Sequence, residues 1–337
     1  MIGRHTHWIR PLLVLTGLAL VSYLVAQIGP AAIWSSFVTL GWRLPLVLAF
    51  PYALAAVVDT VGWQLLLPRA RVPFLLLLRA RLAGEAVSLA TPTMSVGGEP
   101  LKAYLLRPRV SLRDGFASVI ADKTTVVAGQ VLFLAAGLIA ARVALPPSGR
   151  LIEIMTGLLV VEVLALGGFV LVQASGALGG GGRLLGRLAA RAGVGGGERY
   201  QAGLGDLDRA LAALYRHGRP RLVVSALVHT VAWATGGLEI YIVLWLLGIP
   251  ASLGTGLVIE AFASGVKFAS FMVPASLGAL EGGYVAFFAA YGLGATAGLS
   301  YVLVRRLREI AWIVVGLLAV GVAGRAAAVP DAAAPPS

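Results

Sequence analysis

No cysteine occurs in the 337 residues, so disulfides, thiolate metal centres and cysteine nucleophiles are excluded. Histidine is scarce as well: His5 and His7 form an exposed terminal pair, His217 and His229 stand isolated, and no metal site or cofactor is argued. Walker A, HExxH and GxSxG patterns are missing, so no nucleotide-driven or familiar hydrolytic chemistry is expected. Charge is the third shortage. Asp, Glu, Lys and Arg make up 12% of the chain, against about 25% in a soluble domain, which is too little for a polar shell. With 58% hydrophobic residues and a mean hydropathy of +0.88, the chain reads as an all-α polytopic membrane protein. A net charge of +12 could suggest nucleic acid, but no basic stripe interleaved with aromatics stands on a soluble domain to bind it. A sided membrane protein facing an anionic leaflet accounts for the basic excess.

Apolar runs of spanning length cover residues 9–28, 44–67, 114–140, 151–173, 222–247 and 295–322. The first lacks a small-x-small cleavage site and reads as an uncleaved helix rather than a signal peptide. Two further stretches are apolar but interrupted. Residues 74–106 are broken at Thr91-Pro92 and Gly97-Gly98, and residues 256–291 at Pro274, Gly278, Gly282 and Gly283. Each half is short for a span and suits a leg of a re-entrant hairpin. If both hairpins return to their own side, sixteen basic residues fall inside, against Arg43, Arg142 and Arg150 outside. The positive-inside rule then gives six full spans with both termini cytoplasmic. Residues 1–324 form one membrane domain, with a cytoplasmic loop at 175–221 and a disordered tail at 325–337. Within that loop Leu204, Leu207, Leu211 and Leu214 recur at helical spacing, which predicts an amphipathic surface helix with Arg209 and Arg216 toward headgroups.

The chain also echoes itself at an offset of 182 residues. Trp63, Pro68, Ser88, Pro92 and Glu99 recur as Trp245, Pro250, Ser270, Pro274 and Glu281, and basic Lys123 as basic Arg305. The repeats run over about 44–140 and 226–322, and the loop charges make them inverted, as in many transporters. Hairpin tips at Pro92, Gly97 and Gly98, and at Pro274 and Gly278, could then meet near the midplane.

Several ionisable residues lie where charge is expensive. Glu99 opens a helical leg beside Pro100, with Lys102 three residues on, within pairing reach. Its bland reading is a capped helix start; the echo at Glu281 favours a functional tip. Lys123 and Arg305 sit roughly 15 Å deep, each costing about 2.5–3.5 kcal/mol unless paired or hydrated. Arg305, Arg308 and Glu309 share a helical face, with Arg306 about 100° away. Basic groups (Lys123, Arg305, Arg306 and Arg308) outnumber the acids Asp122 and Glu309, a surplus that calls for an anion such as a lipid phosphate. Locking salt bridges are the alternative. Glu85 matches Lys267 by repeat position, which predicts a gate ion pair or plain helix packing. Asp59 stands alone mid-span as a proton site or a neighbour's hydrogen-bond partner, and Trp and Tyr read as interface anchors.

Residues 97–107 (GGEPLKAYLLR), 121–125 (ADKTT), 274–284 (PASLGALEGGY) and 305–309 (RRLRE) resemble the flippase-like membrane family. That family includes the transmembrane domain of lysylphosphatidylglycerol synthases and a single-domain branch associated with hopanoid biosynthesis, which the chain resembles more. The resemblance implies lipid translocation or an accessory role in lipid metabolism, in a bacterial inner (plasma) membrane. It puts Glu99, Lys102, Lys123, Glu281 and Arg305 at the family's motif positions. The aminoacyl-transferase domain of the larger synthases has no counterpart before Ser337, so that activity is not expected. Membrane lipids are the expected partners, with lipid-biosynthesis enzymes as further candidates. The leading expectation is a passive or ion-driven translocator of an anionic or polar-headgroup lipid, with Arg306 added to its headgroup contacts. A membrane-embedded transferase in polyprenyl or hopanoid lipid synthesis, with Glu99 and Glu281 as acid and base, and a scaffold are the alternatives.

Overall fold

A computed structural model describes residues 38–67, 72–90, 97–143, 149–175, 197–271, 273–276 and 278–326, with isolated positions 31 and 34. The expected span at 9–28, Pro92, residues 176–196 of the central loop and the tail beyond 326 lie outside these residues. Ten α-helices are described: α1 (Leu44–Gln64), α2 (Phe74–Ala90), α3 (Glu99–Leu105), α4 (Leu112–Val143), α5 (Gly149–Ala174), α6 (Gly197–His217), α7 (Arg219–Leu246), α8 (Leu253–Ala269), α9 (Ala279–Ala290) and α10 (Ala295–Ala326). No strand occurs among the described residues.

The helix boundaries follow from local chemistry. Ser111 Oγ accepts from the Asp114 N–H at 3.1 Å while donating to Asp114 Oδ2 at 2.7 Å, which caps α4. Ser252 caps α8 in the same way through Thr255. Pro45, Pro100 and Pro220 occupy first-turn positions of α1, α3 and α7, where a missing N–H costs nothing. The second interrupted stretch breaks after Ala269, and in the first a turn at Gly97-Gly98 precedes α3, as the sequence expects; Thr91-Pro92 lies outside the described residues. One detail differs. Gly282 and Gly283 lie inside α9, because the turn is supplied instead by Gly278 at φ +81° and by Ala275 and Ser276 at φ +50°. Those two residues adopt a left-handed backbone that costs L-residues about 1–3 kcal/mol each.

Among the described residues four helices are long and apolar enough to cross a membrane: the stretch Val38–Gln64, α4, α5 and α7. The 32-residue α10 has the length but carries Arg305, Arg306, Arg308 and Glu309 at its centre. Helix α5 is the most lipid-like, exposing Leu164 (69%) and Leu171 (70%) on its free side. Such surface would be untenable in water and is ordinary in hydrocarbon.

Helices α1–α4 and α7–α10 correspond at the 182-residue offset. Their second members have 17 residues each and their fourth members 32 each. The third members differ, seven residues against twelve. Packing is reciprocal: α1 lies along α7, α2 along α10, and α8 along α4. A large apolar core built around Leu134, Ile240, Phe262, Tyr284 and Tyr301 unites α4, α7, α8, α9 and α10, and a smaller one surrounds Trp63, Leu77 and Leu106. As the leucine spacing predicts, α6 is a helix; Leu211 is fully buried and Arg209 exposed.

Candidate functional site

The first broken helix pair is held shut by glycine. A Cβ on Gly98 would come within 1.7 Å of Gly84 O, so α3 can begin against α2 only because both positions are bare. The Gly98 N–H donates to Ser88 Oγ at 3.0 Å. This places Glu99 at the first turn of α3, where the helix dipole favours an anion. Its carboxylate pairs with Lys102 at 3.2 Å and Lys123 at 3.5 Å. Lys102 is buried, whereas the Lys123 side chain remains 41% exposed. Gly97 sits in the turn just before, as expected of a tip.

The second pair repeats the arrangement with different donors. Glu281 Oε2 accepts from the Gly278 N–H at 2.7 Å and so caps α9. Its other oxygen pairs with Arg306 at 2.6 Å. Arg306 also donates to Ala275 O at 3.1 Å, pinning the strained turn that follows Pro274. Thus each half ties the acid of its short leg to a base on its fourth helix. In the second half that base is Arg306, one residue beyond the expected Arg305.

Each half also has an enclosed guanidinium, with polarity reversed. In the first, Arg81 on α2 reaches both oxygens of Asp122 on α4 at 2.8 Å, and Glu85 at 3.2 Å. In the second, Glu260 on α8 is reached at both oxygens by Arg305 on α10, at 3.1 Å. Tyrosines complete both. Tyr52 donates to Glu85 at 2.6 Å, Tyr284 donates to Glu260 at 2.5 Å, and Tyr301 accepts from Arg305 at 3.2 Å. Glu309 bridges Arg305 (3.6 Å) and Arg306 (2.6 Å), which unites residues that helical projection sets on different faces. Arg308 pairs with Glu239 on α7 and stacks over Tyr52.

Four expectations are corrected by this geometry. The surplus of deep positive charge disappears once Glu99, Glu239, Glu260 and Glu281 are counted as partners. Glu85 and Lys267 are not brought together: Glu85 belongs to Arg81 and Tyr52, and Lys267 lies over the Trp233 ring at 5.4 Å. Asp59 and His229 are not isolated, because Nδ1 of His229 is 2.6 Å from Asp59 Oδ1. Nor are the aromatics uniformly interfacial. Trp63 is fully buried with its N–H on Ser118, although its echo Trp245 is 67% exposed and fits an anchor.

Sequence reasoning assigned no role to Arg81 or Glu162 and read Tyr52, Tyr284 and Tyr301 only as interface anchors. The signal for Arg81 was available: Arg81 and Glu85 stand four apart within an apolar stretch, on one helical face. Glu162 is fully buried at the middle of α5 with a single amide partner, Gln130, at 3.3 Å. Among the described residues no group of three or more His, Asp or Glu side chains has a metal-binding arrangement.

No curated protein and no solved structure matches the chain. The family described as the lysylphosphatidylglycerol synthase TM region matches residues 8–319, which covers every helix named above almost to the end of α10. The chain is a multi-pass, all-helical membrane protein and belongs to the lysylphosphatidylglycerol synthase transmembrane-region family.

Proposed function

We propose that this protein moves an anionic phospholipid between leaflets, with Lys123 and Lys267 as its phosphate contacts. One observation carries the reading. The arginines at depth (Arg81, Arg305, Arg306 and Arg308) are buried among acids, whereas Lys123, although paired with Glu99, keeps 41% of its side chain exposed on α4, and Lys267 is exposed on α8. The two lysines lie within electrostatic reach of each other. Two partly exposed lysine side chains that feel each other's charge are suited to a phosphate that offsets both.

The matched helix sets supply the moving parts. Related halves with reciprocal packing support an inverted repeat, with α2–α3 and α8–α9 as re-entrant hairpins and both termini cytoplasmic. Rocking one half against the other would then change the leaflet to which the lysines open. Arg305, expected as a headgroup contact, serves the fold in this reading. The transferase alternative has less support, because Glu99 and Glu281 are both committed to ion pairs and Glu281 also caps α9. A link to hopanoid lipid metabolism rests on the sequence resemblance alone.

The test is melting of the purified protein with and without added phosphatidylglycerol. A ligand at a hundredfold excess over its Kd stabilises by about 2.7 kcal/mol. Wild type should show that gain, and Lys123→Gln and Lys267→Gln should melt normally without lipid and lose it. Reconstituted vesicles should then translocate labelled phosphatidylglycerol in wild type alone. Full lipid stabilisation in both variants would overturn the assignment.

A further inference from the structure

The ion pairs divide sharply between the two helix sets. Among the described residues Arg81, Lys102 and Lys123 pair with acids of the first set, and Arg305, Arg306 and Arg308 with acids of the second. Two ionisable side chains among the described residues reach across, Arg308 where it stacks over the Tyr52 ring and, in direct contact with carboxylates, His229. His229 on α7 places Nδ1 2.6 Å from Asp59 on α1 and Nε2 3.2 Å from Asp122 on α4. Its ring is fully buried and lodged against Gly62, where an added Cβ would stand 2.7 Å from Nε2.

We propose that Asp59, His229 and Asp122 form a proton-binding site joining the two halves, and that one proton is taken up with each anionic headgroup. The inference rests on the phosphate contact at Lys123 and Lys267. A neutral imidazole offers one N–H and one lone pair. Between two carboxylates, one nitrogen or one oxygen must therefore carry an additional proton, or two lone pairs face each other across the interface.

Charge counting gives the same answer. Around the ring stand Asp59 from α1, Arg81 and Glu85 from α2, and Asp122 from α4. Lys102 on α3 lies within electrostatic reach of Glu85 and Asp122, and it pairs with Glu99, which also holds Lys123. Of the other helices packed on α7, α8 brings Glu260 against Gly236, two turns away, where Arg305 neutralises it. Helix α10 brings Arg308, already on Glu239. Four carboxylates thus face three fixed cations, and the cluster is neutral only with one proton loaded. An uncompensated charge at depth is costly, so protonation favours the docked halves, and an arriving anion, which deepens the local negative charge, completes it.

A phosphate settling on Lys123 draws that cation from Glu99 and leaves the cluster more negative. Proton binding is then favoured, and by reciprocity the proton favours the phosphate. Anionic lipid and proton would move in the same direction, and the loaded site would carry no net charge from the pair.

The experiment is the affinity for a short-chain phosphatidylglycerol measured from pH 6 to pH 9, over which the headgroup stays anionic. Uptake of one proton predicts that wild-type affinity weakens with rising pH, by up to about tenfold per unit. His229→Gln should bind with a flat pH profile. Should that variant fail to fold, Asp59→Asn keeps a hydrogen-bond partner for Nδ1 and should show the same flattening. A flat wild-type profile, or an unchanged slope in the folded variants, would overturn the proton site while leaving the lipid reading intact. Absence of binding at every pH would overturn the lipid reading, and the linkage with it.

Discussion

Lys123 and Arg305 occupy equivalent positions in the two halves, yet the structure predicts opposite outcomes when each is neutralised. Arg305 is 8% exposed, and its Nη1 donates to both Glu260 oxygens and to two tyrosines. Arg305→Gln leaves Glu260, itself 3% exposed, with only the Tyr284 hydroxyl as donor. Breaking a buried pair from one side typically costs about 3–5 kcal/mol. At roughly 2 °C per kcal/mol for a chain of this size, the melting temperature should fall by ~6–10 °C. Lys123→Gln differs because Glu99 keeps Lys102 at 3.2 Å and the lost side chain was 41% exposed, so the cost should stay within about 1 kcal/mol. Adding Glu260→Gln to Arg305→Gln removes the orphaned charge and should recover most of the loss. Thermal melts of wild type and the three variants in one detergent decide the matter. Equal melting of the two single variants would refute the reasoning, as would a double variant no better than Arg305→Gln.

Three further outcomes follow from the geometry. Gly98→Ala drives a methyl into Gly84 O and should cost about 3 kcal/mol or more, read as lost monodisperse protein in size-exclusion chromatography, while Gly149→Ala, facing open space, should be silent. Tyr215 on α6 donates to Gln173 at 2.9 Å, and burial pushes its phenol above the ordinary value. Its contribution is therefore full below about pH 10 and lost as pH rises further, so the stability gap to Tyr215→Phe, about 1 kcal/mol, should close in alkaline melts. In the Cys-free background, an impermeant maleimide should label Arg43→Cys only from outside and Arg209→Cys only from inside; the reverse would invert the proposed topology.

How much of this was legible in the sequence depended on the range of the interaction. Apolar length located α1, α4, α5 and α7, and Gly-Gly-Glu-Pro marked the start of α3, because a span and a first turn are decided by neighbours in the chain. The 182-residue echo likewise anticipated the matched helix sets. Partner choice was not legible. Asp59 and His229 are 170 residues apart and meet only because α1 lies along α7. The repeat offset misled at Glu85 and Lys267, since positions matched by a sequence offset need not touch. It also pointed to Arg305 where the bond to Glu281 is made by Arg306, a shift of one residue that a long guanidinium side chain can absorb.

The reversed polarity of the two arginine sites explains why the echo is faint although the helices match. Arg81 aligns with Ala263 and Asp122 with Val304, while Glu260 aligns with Leu78. A salt bridge between the second and fourth helices needs one charge of each sign, and either helix can supply either sign. Substitution could therefore exchange the two without altering helix lengths or packing, leaving almost no identity at the positions that matter most. The consequence is mechanical as well as evolutionary. Because each half neutralises its own arginines, parting the halves strands no fixed charge. The contacts that must break are apolar surface, neutral hydrogen bonds such as Ser225 to Gly62 O at 3.0 Å and Trp312 to Leu48 O at 2.8 Å, the Arg308–Tyr52 stack, and the bridge through His229. Of these, only the histidine bridge changes strength with a single proton, so it is the contact through which an ion gradient could act on the motion.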